Sequence, residues 1–359
     1  MTPQRLHKLR PALAEKQIDA LLVSQRQDCR YLCGFTGSSG YLLISHTDAI
    51  LATDFRYRTQ AADQAPDFRV LEVKGRPGEW LPSIATEQGW RRLGFDAADL
   101  SYDSYERLRR ALVDEGSGVQ LVATTGMVGQ LRMVKDTEEL RLIERAASLV
   151  SQVFEQVRTR IVPGLTEKEA AWEIEKALRE QGSDAPPFDI IVASGPNSAL
   201  PHATPSEKII APDEPVVIDM GARLEGYCSD FSRTLYTGEP DRGFLDLYHA
   251  VFEAQRTAIN AIEAGMSGAD ADGRAREVIE RAGYGDGFGH GLGHGVGLEV
   301  HEGPRLAPRS GDLLKDGMVF TIEPGIYSPG LGGCRIEDLA VLEEGRVRLL
   351  TAGDRGLKP

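Results

Sequence analysis

The sequence predicts an α/β amino-terminal domain followed by a larger α+β domain. Its 359 residues exceed the ~250–300 residues over which a single hydrophobic core usually extends. The first part alternates helical and strand-like segments, which is typical of a three-layer α/β domain. The second part opens with amphipathic helices and continues into β-rich, glycine-rich segments. We therefore predict domains at residues 1–125 and 131–359, separated by a polar, glycine-containing stretch.

The elements of the first domain follow from the spacing of apolar residues. Arg5 to Glu15 has helical spacing, whereas Ile18 to Val23 is an apolar run of strand length. Two neighbouring strands are predicted at 40–44 and 49–52, joined by a polar turn. Further helices are predicted near residues 56–64, 80–88 and 105–112.

Capping signals mark the first helices of the second domain. Asp136 precedes two glutamates, whose negative charge favours the positive end of a helix dipole. Thr166 and Glu169 form a capping box, and we expect that helix to stop at Gly182. Two more helices are predicted at residues 246–264 and 270–282.

The charge balance excludes several classes of partner. Lys and Arg total 41 against 54 Asp and Glu, which gives a net charge of −13. Such an acidic surface repels nucleic-acid backbones and anionic lipid. The sequence has no run of ~18 apolar residues to cross a bilayer, and its start lacks the apolar core of a secretory signal. We therefore expect neither nucleic acid nor a membrane as a partner. The four scattered cysteines are typical of free thiols, and we expect a cytoplasmic location.

The segment 215–234 contains the first candidate ligands. An apolar strand ends on Asp219, and a polar turn returns the chain to Asp230. If the turn centres on Leu224-Glu225, the two carboxylates lie directly opposite each other on a hairpin. Neighbouring carboxylates repel unless a cation lies between them. An ordinary exposed hairpin is the alternative interpretation at this point.

Histidines cluster in the segment 288–304. His290, His294 and His301 lie there among glycines, which allow the backbone to approach a ligand or an ion closely. A nucleotide-binding glycine loop is a competing interpretation, but the spacing is not G-x-G-x-x-G and no strand-turn-helix pattern surrounds it. Histidines packed in a core are the other alternative, although the glycines offer little apolar surface.

Two glutamates are predicted within apolar strands near the end of the chain. Glu323 ends the run 318–322, and Glu337 lies inside the run 334–341. A charge in such a strand is costly unless it is paired or binds a metal, and Arg335 is the obvious partner for a salt bridge. Together the two Asp, one His and two Glu form a donor set that suits Mn²⁺, Co²⁺, Zn²⁺ or Fe²⁺ at a bridged pair.

The order and contexts of these five residues resemble the pita-bread metallopeptidase family. The motifs are IDMG, GYCSD, GHGLGHGVGLEVHEGP, TIEPGIY and CRIED, and the match extends from Leu131 to the C-terminus. The segments YLCGFTGSSGYLLI and TDFRYRTQA resemble the smaller domain of the proline-specific members, Xaa-Pro aminopeptidase and Xaa-Pro dipeptidase (prolidase). The resemblance implies a creatinase/prolidase-like α/β N-terminal domain and an α+β pita-bread catalytic domain.

The resemblance also implies two divalent metal ions per subunit. Asp219 would bind one ion, Asp230 and Glu337 would bridge both, and His294 with Glu323 would complete the second. Mn²⁺ is the expected ion, with Co²⁺, Zn²⁺ and Fe²⁺ as alternatives. A hydroxide bridging the two ions would be the nucleophile, because two cations lower the pKa of bound water.

Further side chains receive roles from the same resemblance. Glu323 would also be the general base. His202 would contact the substrate, and His301 would steady the scissile region and the developing oxyanion. His290 would line the proline pocket, and Arg335 would orient a ligand carboxylate.

The predicted reaction is metal-dependent hydrolysis of the N-terminal Xaa-Pro bond of small peptides, because GFTGSSG and TDFRYRTQA look closer to the aminopeptidases. A prolidase restricted to dipeptides is the alternative. A non-catalytic, peptide-binding relative is a third hypothesis, but such a protein should have lost ligands. The resemblance further implies a homodimer, in which the loop Gly34–Gly40 reaches the neighbouring site.

Overall fold

A computed structural model describes residues 2–358 of the chain. The chain divides into two compact units, Met1–Arg132 and Met133–Pro359. Each unit has its own sheets and its own buried apolar clusters. Within the described range, every helix is too short or too polar to span a bilayer.

The first unit is an α/β sheet with helices packed against it. The strands are β1 (Ala20–Val23), β2 (Tyr41–Ser45), β3 (Ala49–Thr53), β4 (Arg69–Glu72), β5 (Arg92–Asp96) and β6 (Gln120–Thr124). They lie in the order β4-β3-β2-β1-β5-β6, with β2 antiparallel to both of its neighbours. The helices are α1 (Thr2–Glu15), α2 (Arg26–Cys33), α3 (Arg58–Gln64), α4 (Pro77–Glu87), α5 (Tyr102–Asp114) and α6 (Met127–Met133).

Both faces of this sheet are buried. Leu22 and Leu43 pack with apolar residues of α4 and α5, and the alternate residues Leu21 and Leu42 are also buried. Continuous apolar strands of this kind are typical of sheets covered on both sides. The sequence does not predict α2 or α6. The buried residues of α2 include Asp28, which interrupts the apolar pattern that identifies a helix.

The second unit is built from two helix pairs and two larger sheets. Its helices are α7 (Thr137–Val157), α8 (Glu167–Glu180), α9 (Arg242–Ala261) and α10 (Gly268–Arg281). The side chain of Asp136 caps α7 by accepting from the backbone N–H groups of Glu138 and Glu139. Thr166 and Glu169 form the predicted capping box of α8. These caps satisfy backbone donors that have no partner inside the helix.

The sheets of this unit lie beneath the helices. The first comprises β7 (Ile191–Ser194), β8 (Pro215–Met220) and β11 (Phe231–Tyr236), beside the short pair β9 (Arg223–Leu224) and β10 (Tyr227–Cys228). The second comprises β12 (Gly293–Gly295), β13 (Glu302–Leu306), β14 (Val319–Ile322), β17 (Asp338–Glu343) and β18 (Arg346–Leu349). A separate hairpin joins β15 (Gly325–Ser328) to β16 (Gly332–Arg335).

Two apolar clusters stabilise the two halves of the second unit. Side chains of α7 and α8, such as Phe154 and Ile174, pack on the first sheet. Side chains of α9 and α10, such as Val251 and Ile279, pack on the second. The predicted free thiols are confirmed, because all four cysteines are buried and none forms a disulfide with another.

Candidate metal centre

The hairpin β8–β11 positions the two candidate aspartates. Asp219 pairs with Ser232 across the ladder, so the prediction that it lies directly opposite Asp230 is wrong. Leu224 pairs with Tyr227, which centres the turn on Glu225-Gly226, one residue later than expected. Both turn residues have positive φ, as the favoured two-residue hairpin turn requires. Asp230 is therefore the diagonal neighbour of Asp219 on the same face.

His294 and Glu323 approach Asp230 from the second sheet. The His294 Nε2 atom lies 3.7 Å from Asp230 Oδ2 and 3.3 Å from Glu323 Oε1. Thr321 organises this pair: its hydroxyl donates to Glu323 Oε1 at 2.9 Å and accepts from the His294 N–H at 3.0 Å. The site therefore joins strands from both sheets of the second unit.

Glycines on either side of His294 allow this close approach. A Cβ on Gly293 would lie 2.0 Å from the carbonyl oxygen of Thr321. A Cβ on Gly295 would lie 1.9 Å from the carbonyl oxygen of Gly303. Because real Cβ atoms do not come that near to backbone oxygens, only glycine fits at either position without movement.

Glu337 lies in a break between β16 and β17, which corrects the predicted continuous strand over 334–341. Its backbone N–H donates to the carbonyl of Ser232, and its Oε2 accepts from the Ser232 hydroxyl at 2.8 Å. One donor atom from each of Asp230, His294 and Glu337 falls within 4.8 Å of the other two. A single ion could contact all three.

Arg335 binds the carboxylate of the candidate ligand Asp219. Its Nη2 donates to Asp219 Oδ2 at 2.5 Å, whereas the salt-bridge alternative paired it with the glutamates. The same guanidinium donates to the Ser232 hydroxyl, the Tyr327 hydroxyl and the Pro201 carbonyl at 3.0, 2.7 and 3.2 Å. The side chain is almost fully buried, so these contacts hold it in one orientation.

The acidic groups repel one another in this buried setting. Burial raises the pKa of Asp230 well above its usual range, and the nearby Glu337 carboxylate adds to the rise. Burial likewise raises the pKa of Glu337, with a further contribution from Glu323. Burial also raises the pKa of Glu323 itself. Such a cluster is unfavourable as it stands, and cations would relieve it.

The donor atoms fit divalent metal ions. Asp219 Oδ1 and Glu337 Oε1 are buried oxygens without a hydrogen-bond partner among the described residues. Buried polar atoms are normally satisfied, so both oxygens are available as ligands. Burial lowers the pKa of His294, which keeps its imidazole neutral and able to coordinate. Carboxylates with one imidazole suit the harder transition metals, but do not identify one.

Three further histidines surround this cluster. The rings of His301 and His294 have centroids 4.3 Å apart. His290 lies between Phe288 and Tyr327, at ring distances of 5.0 and 5.6 Å. Its Nδ1 is 2.8 Å from the carbonyl of Gly291, whereas its buried Nε2 has no partner in the described part of the chain. Burial lowers the pKa of both His290 and His301.

His202 is exposed on the loop that follows β7. The carbonyl of Pro201, the residue before it, accepts from Arg335, which places this loop beside the candidate ligand Asp219. The structure thus brings the five candidate ligands together, with His290 and His301 beside them. The role of Gly34–Gly40 at a neighbouring site stays a prediction. Sequence analysis missed Ser232 and Thr321, which hold Glu337 and Glu323 in place. Each lies two residues from a candidate ligand, and period-two alternation in a strand is the signal that identifies them.

Comparisons with known proteins agree with this geometry. Residues 141–344 match the model of metallopeptidase family M24, and residues 5–134 match the Creatinase/Prolidase N-terminal domain. An Xaa-Pro dipeptidase of Pyrococcus furiosus is 35% identical over 99% of this chain and 99% of its own. A structure of an Xaa-Pro dipeptidase from Bacillus anthracis is 40% identical, with a TM-score of 0.95 over 100% of this chain and 99% of that one.

A structure of an X-Pro aminopeptidase from Thermotoga maritima is 38% identical, with a TM-score of 0.88 over 99% of both chains. These matches cover both units and confirm the predicted combination of an N-terminal α/β domain with a pita-bread catalytic domain. They also confirm that the chain is an enzyme and not a silent relative. This chain therefore belongs to metallopeptidase family M24 and carries a Creatinase/Prolidase N-terminal domain.

Proposed function

We propose that this metallopeptidase hydrolyses the peptide bond preceding proline, and that Xaa-Pro dipeptides are its principal substrates. The observation that carries the hydrolase assignment is the convergence of four carboxylates and one imidazole, in which two buried oxygens have no hydrogen-bond partner in the described part of the chain. Proline specificity rests on the similar proteins described above, which are two Xaa-Pro dipeptidases and an X-Pro aminopeptidase.

Five residues would hold two divalent cations. Asp219 would bind one, His294 and Glu323 would bind the other, and Asp230 and Glu337 would be shared. We propose Mn²⁺ as the working ion, with Co²⁺, Zn²⁺ and Fe²⁺ as alternatives that the same oxygen-rich donor set accepts. When bound, such cations lower the pKa of water towards neutrality and polarise a carbonyl group.

The protein supplies proton transfer through Glu323. Its Oε1 atom lies 3.3 Å from Nε2 of His294, beside the atoms that would hold the cations, so it is placed to accept a proton from water bound there. The Thr321 hydroxyl holds Oε1 in place, so the group is oriented before the substrate arrives. Preorganisation of this kind avoids a reorganisation cost during the reaction.

The histidines would bind and orient the substrate. The His290 ring lies between the rings of Phe288 and Tyr327, and its Nε2 atom has no hydrogen-bond partner among the residues that the structure describes. This combination suits a prolyl ring and its carbonyl. His301, beside His294, is placed to steady the oxygen that gains charge. His202 would contact the peptide from the loop after β7. Arg335 would keep Asp219 oriented.

Cleavage of longer peptides is the second candidate function. The sequence favours it through GFTGSSG and TDFRYRTQA, and the similar protein from Thermotoga maritima is an X-Pro aminopeptidase. The dipeptidase assignment is preferred because the Pyrococcus furiosus relative and the Bacillus anthracis structure, with its TM-score of 0.95, are both Xaa-Pro dipeptidases. We also retain the proposal of a homodimer, in which Gly34–Gly40 reaches the neighbouring site.

One set of assays tests these proposals. The metal-stripped enzyme, reloaded with Mn²⁺, Co²⁺, Zn²⁺ or Fe²⁺, is supplied with Ala-Pro, Ala-Pro-Ala and Ala-Ala. Rapid hydrolysis of Ala-Pro alone supports the dipeptidase. Release of Ala from Ala-Pro-Ala at a comparable rate supports the aminopeptidase. Equal hydrolysis of Ala-Ala excludes proline specificity, and activity that survives chelation excludes the metal-dependent reaction. Sedimentation velocity determines whether the enzyme is a dimer.

A further inference from the structure

A single buried carboxylate fastens both ends of the loop that carries His202. Glu167 is the first residue of α8, and it is fully buried. It lies outside the candidate metal cluster, and sequence analysis gave it no role. Fully buried glutamates are rare unless their oxygens are satisfied, so its contacts indicate why it is there.

Each carboxylate oxygen of Glu167 holds a different end of the loop. Oε1 accepts from the backbone N–H and the hydroxyl of Ser194, at 2.8 and 2.9 Å. Oε2 accepts from the backbone N–H and the hydroxyl of Ser206, at 3.1 and 2.6 Å. The Asn197 amide bridges both oxygens at 3.0 and 3.1 Å. The Glu167 side chain thus closes the loop 195–205 at its base, and Lys208 Nζ adds one bond there by donating to the Ser194 hydroxyl at 2.8 Å.

These partners are hydroxyl, amide and backbone N–H donors. Hydrogen bonds from Ser206, Ser194 and Asn197 outweigh the opposing effect of burial and hold the pKa of Glu167 below its usual value. A carboxylate accepts at both oxygens, whereas a glutamine presents one oxygen and one NH₂ group. The oxygen of a glutamine at position 167 could therefore accept hydrogen bonds from one end of the loop. Its NH₂ group would face the backbone N–H at the other end, where two donors cannot form a hydrogen bond.

The closed loop reaches the metal centre. The Pro201 carbonyl accepts from Arg335, which donates to the Asp219 carboxylate. The hydroxyl of Ser198 accepts from the N–H of Gly333 in β16 at 2.8 Å. His202 therefore lies in a loop held on one side by Glu167 and on the other by residues next to the candidate ligands.

We propose that Glu167 is a positioning residue that presents His202 to the substrate by clamping Ser194 to Ser206. This inference rests on the proposed function, in which His202 contacts the peptide. Misplacement of a substrate-contacting group by about 1 Å can cost ~100-fold in rate. A loosened base would therefore reduce catalysis without removing any group from the reaction centre.

The test is a double-mutant cycle between Glu167→Gln and His202→Ala in the Mn²⁺-loaded full-length enzyme. Glu169→Gln is the matched control, because it changes an exposed glutamate of the same helix and glutamine still fits a capping box. We expect Glu167→Gln to lower kcat/KM for Ala-Pro by ~10–100-fold when His202 is present. In the His202→Ala background, Glu167→Gln should lower kcat/KM by less than ~2-fold, because the side chain that Glu167 positions is absent.

A second measurement does not depend on activity. Hydrogen exchange, followed by mass spectrometry of peptides within 195–205, should be faster in Glu167→Gln than in Glu169→Gln or the parent enzyme. Equal exchange in all three would overturn the proposal. So would an equal loss of kcat/KM in both His202 backgrounds, which indicates a general structural effect. If the parent enzyme fails to cleave Ala-Pro but the exchange difference is present, the clamp stands and the proposed function fails.

Discussion

Arg335 donates from Nη2 to Oδ2 of Asp219, whereas Oδ1 of the same carboxylate has no hydrogen-bond partner among residues 2–358. One oxygen is thereby fixed by the protein and the other remains available. A carboxylate held in this way cannot rotate freely, so its free oxygen points in one direction before any ion arrives. Outer partners of this type tune the affinity of a metal site.

We predict that Arg335→Lys weakens metal binding by ~10–100-fold, the usual cost of losing a group that orients a ligand. A lysine ammonium is a point charge and cannot span Asp219, Ser232 and Tyr327 as the planar guanidinium does. Titration of the metal-free protein with Mn²⁺, followed by calorimetry, measures the change. Arg256→Lys, at an exposed pair with Glu253, is the control. Unchanged affinity in Arg335→Lys would show that Asp219 needs no outer partner.

We predict that Glu323→Ala abolishes turnover and weakens metal retention, because it removes a proposed ligand and the proposed base together. Glu323→Gln separates the two roles: its shape is retained, but proton transfer is lost, at a cost of ~10²–10⁴-fold in kcat. Steady-state kinetics with Ala-Pro and metal analysis of the purified variants provide the measurements. Glu253→Gln, at an exposed site, is the control. Near-normal kcat in Glu323→Gln would exclude Glu323 as the base.

We predict that added Mn²⁺ raises the melting temperature more at pH 8 than at pH 5. The pKa values of Asp230, Glu337 and Glu323 are raised in the metal-free fold. Groups with raised folded-state pKa values stabilise the fold below their unfolded pKa of about 4, and this contribution is lost as the pH rises through the folded pKa. Metal ions would remove the repulsion that develops at high pH. Melting curves with Mn²⁺ or a chelator test this, and an equal shift at both pH values would contradict it.

We predict that Gly295→Ala destabilises the protein by roughly 1–3 kcal/mol or more, the range for forcing extra atoms into a packed region. The new Cβ would lie 1.9 Å from the carbonyl oxygen of Gly303, so β12 must move and carry His294 with it. Gly289→Ala is the matched control in the same glycine-rich segment, since its Cβ would meet nothing within 4 Å. Urea unfolding of both variants measures the difference in their free energies of unfolding. Equal stability would mean that the strand tolerates the displacement.

Local signals in the sequence predict much of the fold. The capping residues Asp136 and Thr166 place the starts of α7 and α8 correctly, because a cap depends on neighbours within four residues. The strands β2 and β3 follow from apolar runs and the polar turn between them. The apolar pattern of α2 is interrupted by Asp28, so the sequence does not predict this helix. Asp28 is tolerated on the inner face of α2 because it forms a buried ion pair with Arg132 of the same unit.

Features that depend on partners distant in the chain could not be predicted in the same way. The partner of Asp219 is Ser232 and not Asp230, two residues away, because the turn with two positive φ values is centred on Glu225-Gly226 and not on Leu224-Glu225. Glu337 lies in a break between strands because its N–H bonds to Ser232, more than a hundred residues earlier. Glu167 looked like an ordinary residue of a helix start. Its role depends on Ser194 and Ser206, which only the folded chain brings to it.

The guanidinium of Arg335 touches both the carboxylate of Asp219 and the carbonyl of Pro201, beside His202. Cation loading and peptide docking therefore share one rigid connector. If bound cations raise the affinity for the peptide through this loop, the bound peptide must raise the affinity for the cations by the same factor, because coupling between two binding equilibria is reciprocal. We expect the enzyme to bind its ions more tightly when a peptide is docked. When the ion is in short supply, the enzyme would therefore lose its ions, and its activity, more readily at low than at high substrate concentration.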